Sequence, residues 1–257
     1  MDLKALDAFK LENQVAIVTG AGAGIGRGIA ELFARAGAAI VVSDLKEETA
    51  AAVAEGIRDK GGKALEVACD VTDDRDLENL VKATLDTFGK ITLLVNNAGG
   101  GGPKAFDMPM ETFIWAYKLN VFSVFHLCQL CAPHMKAAGG GAILNITSMA
   151  GDNKNKNMAS YSSSKAAESH LTRNIAFDLG PLGIRVNAIA PGAIKTDALA
   201  TVLTPDTEKA MLKHTPISRL GQPSDIAYAA LYLCSPAASW VSGQVLTVSG
   251  GGIQELD

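Results

Sequence analysis

Positive charge is in short supply in this sequence. Lysine and arginine number 23 against 27 aspartates and glutamates, for a net charge of −4. That balance leaves no broad basic field to draw in DNA, RNA or an acidic membrane face. Long apolar runs are missing too. No stretch approaches the roughly 18 to 20 apolar residues that span a bilayer. The opening MDLKALDAFKLENQ has neither an apolar core nor a small-residue cleavage site, so it does not read as a secretory signal. A cytoplasmic protein with no nucleic-acid or membrane partner is expected. Internal repeats, low-complexity tracts and linker-like stretches are also lacking, which makes one domain over residues 1–257 the simplest expectation.

Cysteine is sparse. The four are Cys69, Cys128, Cys131 and Cys234. CQLC has C-x-x-C spacing, but no second pair or nearby histidine completes a zinc site. The pair also falls inside an apolar helical stretch rather than at a helix N-terminus, where a reactive thiol is favoured. Buried packing is the expectation. His126, His134, His170 and His214 show no ligand spacing with carboxylates or cysteines, so no divalent metal is expected.

What the chain does have is apolar residues, 48% of the total, enough to bury a substantial core. Short runs rich in Val, Ile and Leu recur: VAIVTG (15–20), AIVVSD (39–44), ALEVACD (64–70), ITLLVNN (91–97), GAILNITS (141–148), IRVNAIAPG (184–192) and QVLTVSGG (244–251). They lack clean alternation, as strands covered on both faces do. Helix-length segments lie between them, near 24–36, 46–60, 74–88, 111–137, 158–180 and 224–235. Alternating strand and helix predicts an α/β fold, a doubly wound parallel sheet of about seven strands with helices on both faces. Two stretches deviate. Residues 113–132 are apolar nearly all round, which suits a helix buried on more than one side. Residues 193–222 interrupt the alternation, as a lid or binding segment does.

The first strand runs into TGAGAGIG. The fingerprint G-x-G-x-x-G is absent; T-G-x-x-x-G-x-G is present on Thr19, Gly20, Gly24 and Gly26. The physical task is the same: a sharp strand-to-helix turn, backbone close to a pyrophosphate, and a helix N-terminus facing the charge. A tight turn that binds nothing is the plain alternative. Asp44 ends the second strand, 18 residues after Gly26. A carboxylate there can accept the ribose hydroxyls and repel a 2′-phosphate, which favours NAD over NADP; otherwise it is a solvated turn aspartate. Asp70 and Val71, in CDV at the end of the third strand, fall on the same edge, where adenine would lie.

Ser148 ends the fifth strand in NITSM. Tyr161 follows thirteen residues later, with Lys165 one helical turn beyond it in YSSSK. A free tyrosine loses its proton near pH 10, and a neighbouring cation favours the deprotonated form. With TGAGAGIG, NNAG (96–99), Asn120, Ser148, YSSSK and PG (191–192) in this order, the chain resembles the short-chain dehydrogenase/reductase family. That resemblance implies a single-domain Rossmann fold and a set of roles. Tyr161 is the acid/base and Lys165 holds the nicotinamide ribose and favours tyrosinate. Ser148 holds the substrate oxygen. Asn120 fixes a water on a proton path, unless it serves packing alone. Gly20, Gly24, Ile25, Gly26, Asp44, Asp70, Val71, Asn97, Tyr161, Lys165, Ile194 and Thr196 contact NAD.

Within the family, residues 96–110, 145–158, 190–199 and 234–252 resemble the bacterial members that oxidise hydroxysteroids. This implies a cholate-type bile acid oxidised at its 7α-hydroxyl, touched by Gly101, Ser148, Asn153 and Tyr161. Gly101 and Asn153 are otherwise ordinary loop residues. Alternatives stay open: a sugar alcohol, a 3-oxoacyl thioester or a small secondary alcohol as substrate, or a dinucleotide sensor without catalysis. The family also implies a homotetramer built on the helices at 111–137 and 158–180.

Overall fold

The computed structural model describes residues 4–154, 156–201, 203–213 and 215–252. All seven expected strands are present: β1 (Val15–Thr19), β2 (Ala39–Asp44), β3 (Lys63–Ala68), β4 (Leu93–Asn96), β5 (Gly141–Ile146), β6 (Ile184–Pro191) and β7 (Val245–Val248). They form one parallel sheet in the order β3-β2-β1-β4-β5-β6-β7. The order reverses between β1 and β4. At such a switch point the strand C-termini open a crevice.

The helices are α1 (Lys4–Asp7), α2 (Gly24–Arg35), α3 (Glu47–Arg58), α4 (Asp74–Phe88), α5 (Met110–Tyr117), α6 (Ser123–Ala137), α7 (Ala159–Leu179), α8 (Asp197–Ala200), α9 (Pro205–Leu212) and α10 (Pro223–Cys234). Every residue of β1 is buried, because alternate side chains enter two different cores. Ala16 and Val18 join Phe33 of α2, Ile57 of α3 and Leu233 of α10 on one face. Ile17 joins Leu80 of α4, Leu127 of α6 and Ile175 of α7 on the other. Each such buried Leu, Ile or Phe contributes about 1.5–3 kcal/mol. Local signals set the helix ends. Asp73 caps α4 by accepting from the N–H groups of Arg75 and Asp76, and Gly89 ends it at φ 74°.

Several boundaries differ from expectation. β5 stops at Ile146, and Ser148 instead caps a 3₁₀ turn, Met149–Gly151. β3 stops at Ala68, and Asp70 lies in the turn beyond, where its carboxylate accepts from the Thr72 N–H and hydroxyl. The helix expected over 111–137 is interrupted by a π-helical turn, Lys118–Phe122. The widened turn carries Asn120. Residues 193–222 are partly helical, because Thr196 caps α8 and Thr204 with Thr207 forms a reciprocal cap on α9. His214, and with it part of this segment, lies outside the described residues.

All four cysteines are free and buried. Burial pushes the thiols of Cys69, Cys128 and Cys234 up to about 12. Among the described residues no helix is long and apolar enough to cross a membrane.

Candidate active site

β1 turns into α2 through glycines that have physical reasons to be there. Gly20 sits at φ 60°, and a Cβ on it would stand 3.0 Å from the Ala98 backbone. A Cβ on Gly26 would collide with the Gly20 carbonyl and the Asn97 amide. Any side chain there would wedge the turn open. The residue before α2, Ala23, provides no side-chain cap. The first-turn N–H groups of the helix, around Gly24, Ile25 and Gly26, therefore keep their donor capacity for an anion.

Asn97 braces this turn from the next strand. Its Nδ2 donates to the carbonyls of Thr19 at 2.9 Å and Gly20 at 3.0 Å. Thr19 Oγ1 in turn accepts from the N–H groups of Asn97 and Ala98. Asp44, at the end of β2, reaches back to the loop. Its Oδ2 accepts the Gly22 N–H at 2.9 Å, while Oδ1 accepts from Lys46 N–H and the Thr49 hydroxyl. Gly20, Asp44, Asp70, Val71 and Gly99 line one open cleft of about 380 Å³. The edge expected to hold adenosine is thus assembled from three strand ends.

A second cleft, of about 490 Å³, begins at Tyr161 and Ser148 and is walled by Met149, Met158, Ile194, Leu199 and Met211, with Lys156 also on its lining. Thr196 bridges the two halves of the site, since its methyl lies 3.2 Å from where a Gly24 Cβ would be. Its hydroxyl accepts the Leu199 N–H. Ser148 Oγ accepts the Ala150 N–H at 3.1 Å, which holds the hydroxyl at the cleft wall.

Lys165 is not an exposed helix residue. It is 4% exposed, and its Nζ donates to the Ile146 carbonyl at 2.9 Å and to Glu168 Oε2 at 2.7 Å. Asn120 is fully buried. Its Oδ1 accepts the Gly100 N–H at 3.0 Å, and its Nδ2 donates to the Gly100 carbonyl and to Ser164 Oγ. This two-way clasp holds residues 99–101 against α7. A Cβ at Gly99 would come within 3.0 Å of both Lys165 Nζ and Asn120 Oδ1. The last glycine of NNAG therefore lets the ammonium and the amide converge. Gly101, at φ 140°, lies against the Tyr161 ring, and a Cβ there would be 2.6 Å from Cδ2.

The structure brings Ser148, Tyr161, Lys165, Asn120 and Ile194 to one place. Gly101 and Asn153 are not among the residues that line the second cleft. Gly101 makes room for the Tyr161 ring. The Asn153 Nδ2 is buried without a hydrogen-bond partner. Two participants went unnoticed in the sequence. Gly99 carries no signal of its own within NNAG. Glu168 carried one signal, its position three residues after Lys165.

The chain is similar to known proteins in sequence and in fold. The family model described as enoyl-(acyl carrier protein) reductase matches residues 20–252. The 7α-hydroxysteroid dehydrogenase of Escherichia coli strain K12 is 62% identical over 251 residues, 98% of each chain. A solved 7α-hydroxysteroid dehydrogenase complexed with NADH and 7-oxo glycochenodeoxycholic acid superposes at a TM-score of 0.95, with 62% identity over 98% of each chain. A short-chain type dehydrogenase/reductase from Mycobacterium marinum superposes at 0.92, with 35% identity over 97% of this chain and 99% of that one. Matched by that family model over residues 20–252 and by such relatives over nearly its whole length, the chain belongs to the short-chain dehydrogenase/reductase family.

Proposed function

We propose that this protein is an NAD-dependent oxidoreductase that oxidises the 7α-hydroxyl of a cholate-type bile acid to the 7-ketone, and reduces the ketone in reverse. The observation that carries the proposal is the placement of Tyr161 at the head of an apolar cleft, one turn from a buried ammonium. The 62% identity to a 7α-hydroxysteroid dehydrogenase supports the choice of substrate.

The glycine turn fits a dinucleotide, because its glycines keep the strand-to-helix turn tight and the helix it leads into has no side-chain cap on its first N–H groups. Gly20, Gly24, Ile25 and Gly26 would hold the pyrophosphate, and Asp44 the outer ribose. Asp70 and Val71 would flank the adenine. Asn97, Tyr161 and Lys165 would lie at the inner ribose, and Ile194 and Thr196 at the carboxamide. When bound, NAD supplies the hydride acceptor. The protein's own share is one proton and its geometry. Ser148 Oγ holds the substrate oxygen. Tyr161 Oη takes the hydroxyl proton as the C7–H bond breaks. Lys165 favours the phenolate through its charge. Asn120 keeps residues 99–101 and α7 together and would seat the water that passes the proton outward.

The methionine, isoleucine and leucine walls suit a flat apolar body, and methionine adapts to its shape. Lys156, on the same lining, suits a side-chain carboxylate. The unpartnered Asn153 amide offers a donor to a substrate hydroxyl. Residues 193–222 serve as the lid, since Leu199 and Met211 on that segment face the cleft. Among the described residues no cluster of His, Cys, Asp and Glu could hold a metal ion. Exposed Ile114, Trp115, Phe122, Phe125 and Phe177 cover the outer faces of α5 to α7, and burying them against further copies gives a homotetramer. The compartment proposed is the cytoplasm.

A second reading, a 3-oxoacyl thioester as substrate, shares only the acyl thioester with the description of the matching family model, whose enoyl substrate is reduced at a C=C bond. A panel of bile acids, polyols and a 3-hydroxyacyl thioester, assayed with NAD, separates the two. Cholate and chenodeoxycholate are expected to turn over, and deoxycholate, which lacks the 7-hydroxyl, is not. Fast turnover of a polyol or thioester with inert cholate would discard the steroid reading.

A further inference from the structure

We infer that Glu168 is a built-in counter-charge to Lys165, and that it sets the pH at which Tyr161 exchanges its proton. This rests on the reading of Tyr161 and Lys165 as the acid–base pair. A glutamate is almost never fully buried unless it is paired, and Glu168 is 1% exposed. Its partner is Lys165, at 2.7 Å. Tyr161 lies one turn before the lysine and Glu168 about one turn after it on α7. Along α7 the lysine is thus set between the tyrosine and the glutamate.

The neighbours of Glu168 leave this pairing undiluted. Among the described residues, Lys165 is the charged side chain acting on it. From α6 comes the Cys128 thiol, which burial keeps uncharged by pushing it up to about 12. From β4 and β5 come Asn96 and Asn145, joined at 2.9 Å and linked onward to Thr172. Thr172 Oγ1 donates to the Glu168 carbonyl. None of these titrates near neutral pH. The Ile146 carbonyl accepts one further hydrogen bond from the ammonium. Burial pushes the Glu168 carboxyl up to about 7, and the attraction of Lys165 opposes that rise.

The sign follows from charge. An ammonium paired with a carboxylate presents a dipole to Tyr161, while an ammonium beside a neutral carboxyl presents a full charge. The dipole favours phenolate less. Ionised Glu168 therefore holds back proton loss from Tyr161, and removing its charge lets that loss occur at lower pH.

The test is the pH profile of the hydride-transfer step, measured by single-turnover oxidation of cholate with NAD in the full-length enzyme. Glu168→Gln is expected to move the acid limb down by up to about one pH unit, the difference opening only where wild-type Glu168 is ionised. Glu168→Met, apolar and similar in length, is expected to move it in the same direction, and serves if the glutamine variant does not fold. Glu168→Asp keeps the charge and is expected to keep the limb near its wild-type position. An acid limb that stays put in both charge-free variants, or moves upward, overturns the inference; loss of rate at every pH with an unmoved limb marks a purely structural residue. Tyr161→Phe is run alongside. If it still turns over, the acid–base reading itself is wrong; if it is dead and the charge-free variants leave the limb unmoved, only the role of Glu168 falls.

Discussion

Tyr161→Phe is expected to lower turnover by about 10²–10⁴-fold, the usual worth of a positioned general acid or base. Affinity for NAD is expected to stay within about twofold, because removing one hydroxyl leaves the rest of a dinucleotide site in place. The reason is geometric. Phenylalanine keeps the ring that packs against Gly101 and removes only the hydroxyl at the head of the cleft. The glycine turn, Asp44 and the Asn97 brace lie on other strands and are untouched. The two effects are read separately, turnover from the appearance of reduced nucleotide and binding from fluorescence titration. A variant within tenfold of wild-type rate would mean that the proton goes elsewhere.

Asp44→Ala is expected to raise the KM for NAD by about 10- to 100-fold, since hydrogen bonds to a charged group are worth about 1.5–3 kcal/mol. It is also expected to admit NADP, because the repelling charge at the end of β2 is gone. Part of the loss comes from within the protein. The Asp44 carboxylate holds the Gly22 N–H at 2.9 Å and the Thr49 hydroxyl at 3.2 Å, so its removal also loosens the glycine loop. Comparison of kcat/KM for the two nucleotides checks this. An unchanged preference for NAD would remove Asp44 from the selection.

The inner strands were legible because parallel strands covered on both faces have no polar side to disguise them: VAIVT and AIVVS read as buried and are buried, whereas the edge strands β3 and β7 are partly exposed. Tyr161, Lys165 and Ser148 were legible because their spacing is set by one helix and by the turn that follows one strand. Glu168 was not. A glutamate three residues after a lysine on a helix ordinarily reads as a solvated ion pair. Only the packing of α7 against β5 and α6 turns this one inward. Gly99 was hidden for a similar reason, since its closeness to Lys165 and Asn120 joins segments far apart in sequence. The π-helical turn at 118–122 leaves no periodic signal in a stretch that is apolar all round. In 193–222 the helices are four and eight residues long, too short for amphipathic periodicity to mark them.

The most direct test follows a labelled atom. Cholate carrying deuterium at C7 is incubated with the protein and NAD, and both products are analysed by mass spectrometry. The expected result is deuterium on the reduced nucleotide, one label per 7-oxo product formed, with no transfer in Tyr161→Phe. Label retained on an unchanged steroid, or a ketone formed at another carbon, would contradict the assignment of this site to the 7α-hydroxyl.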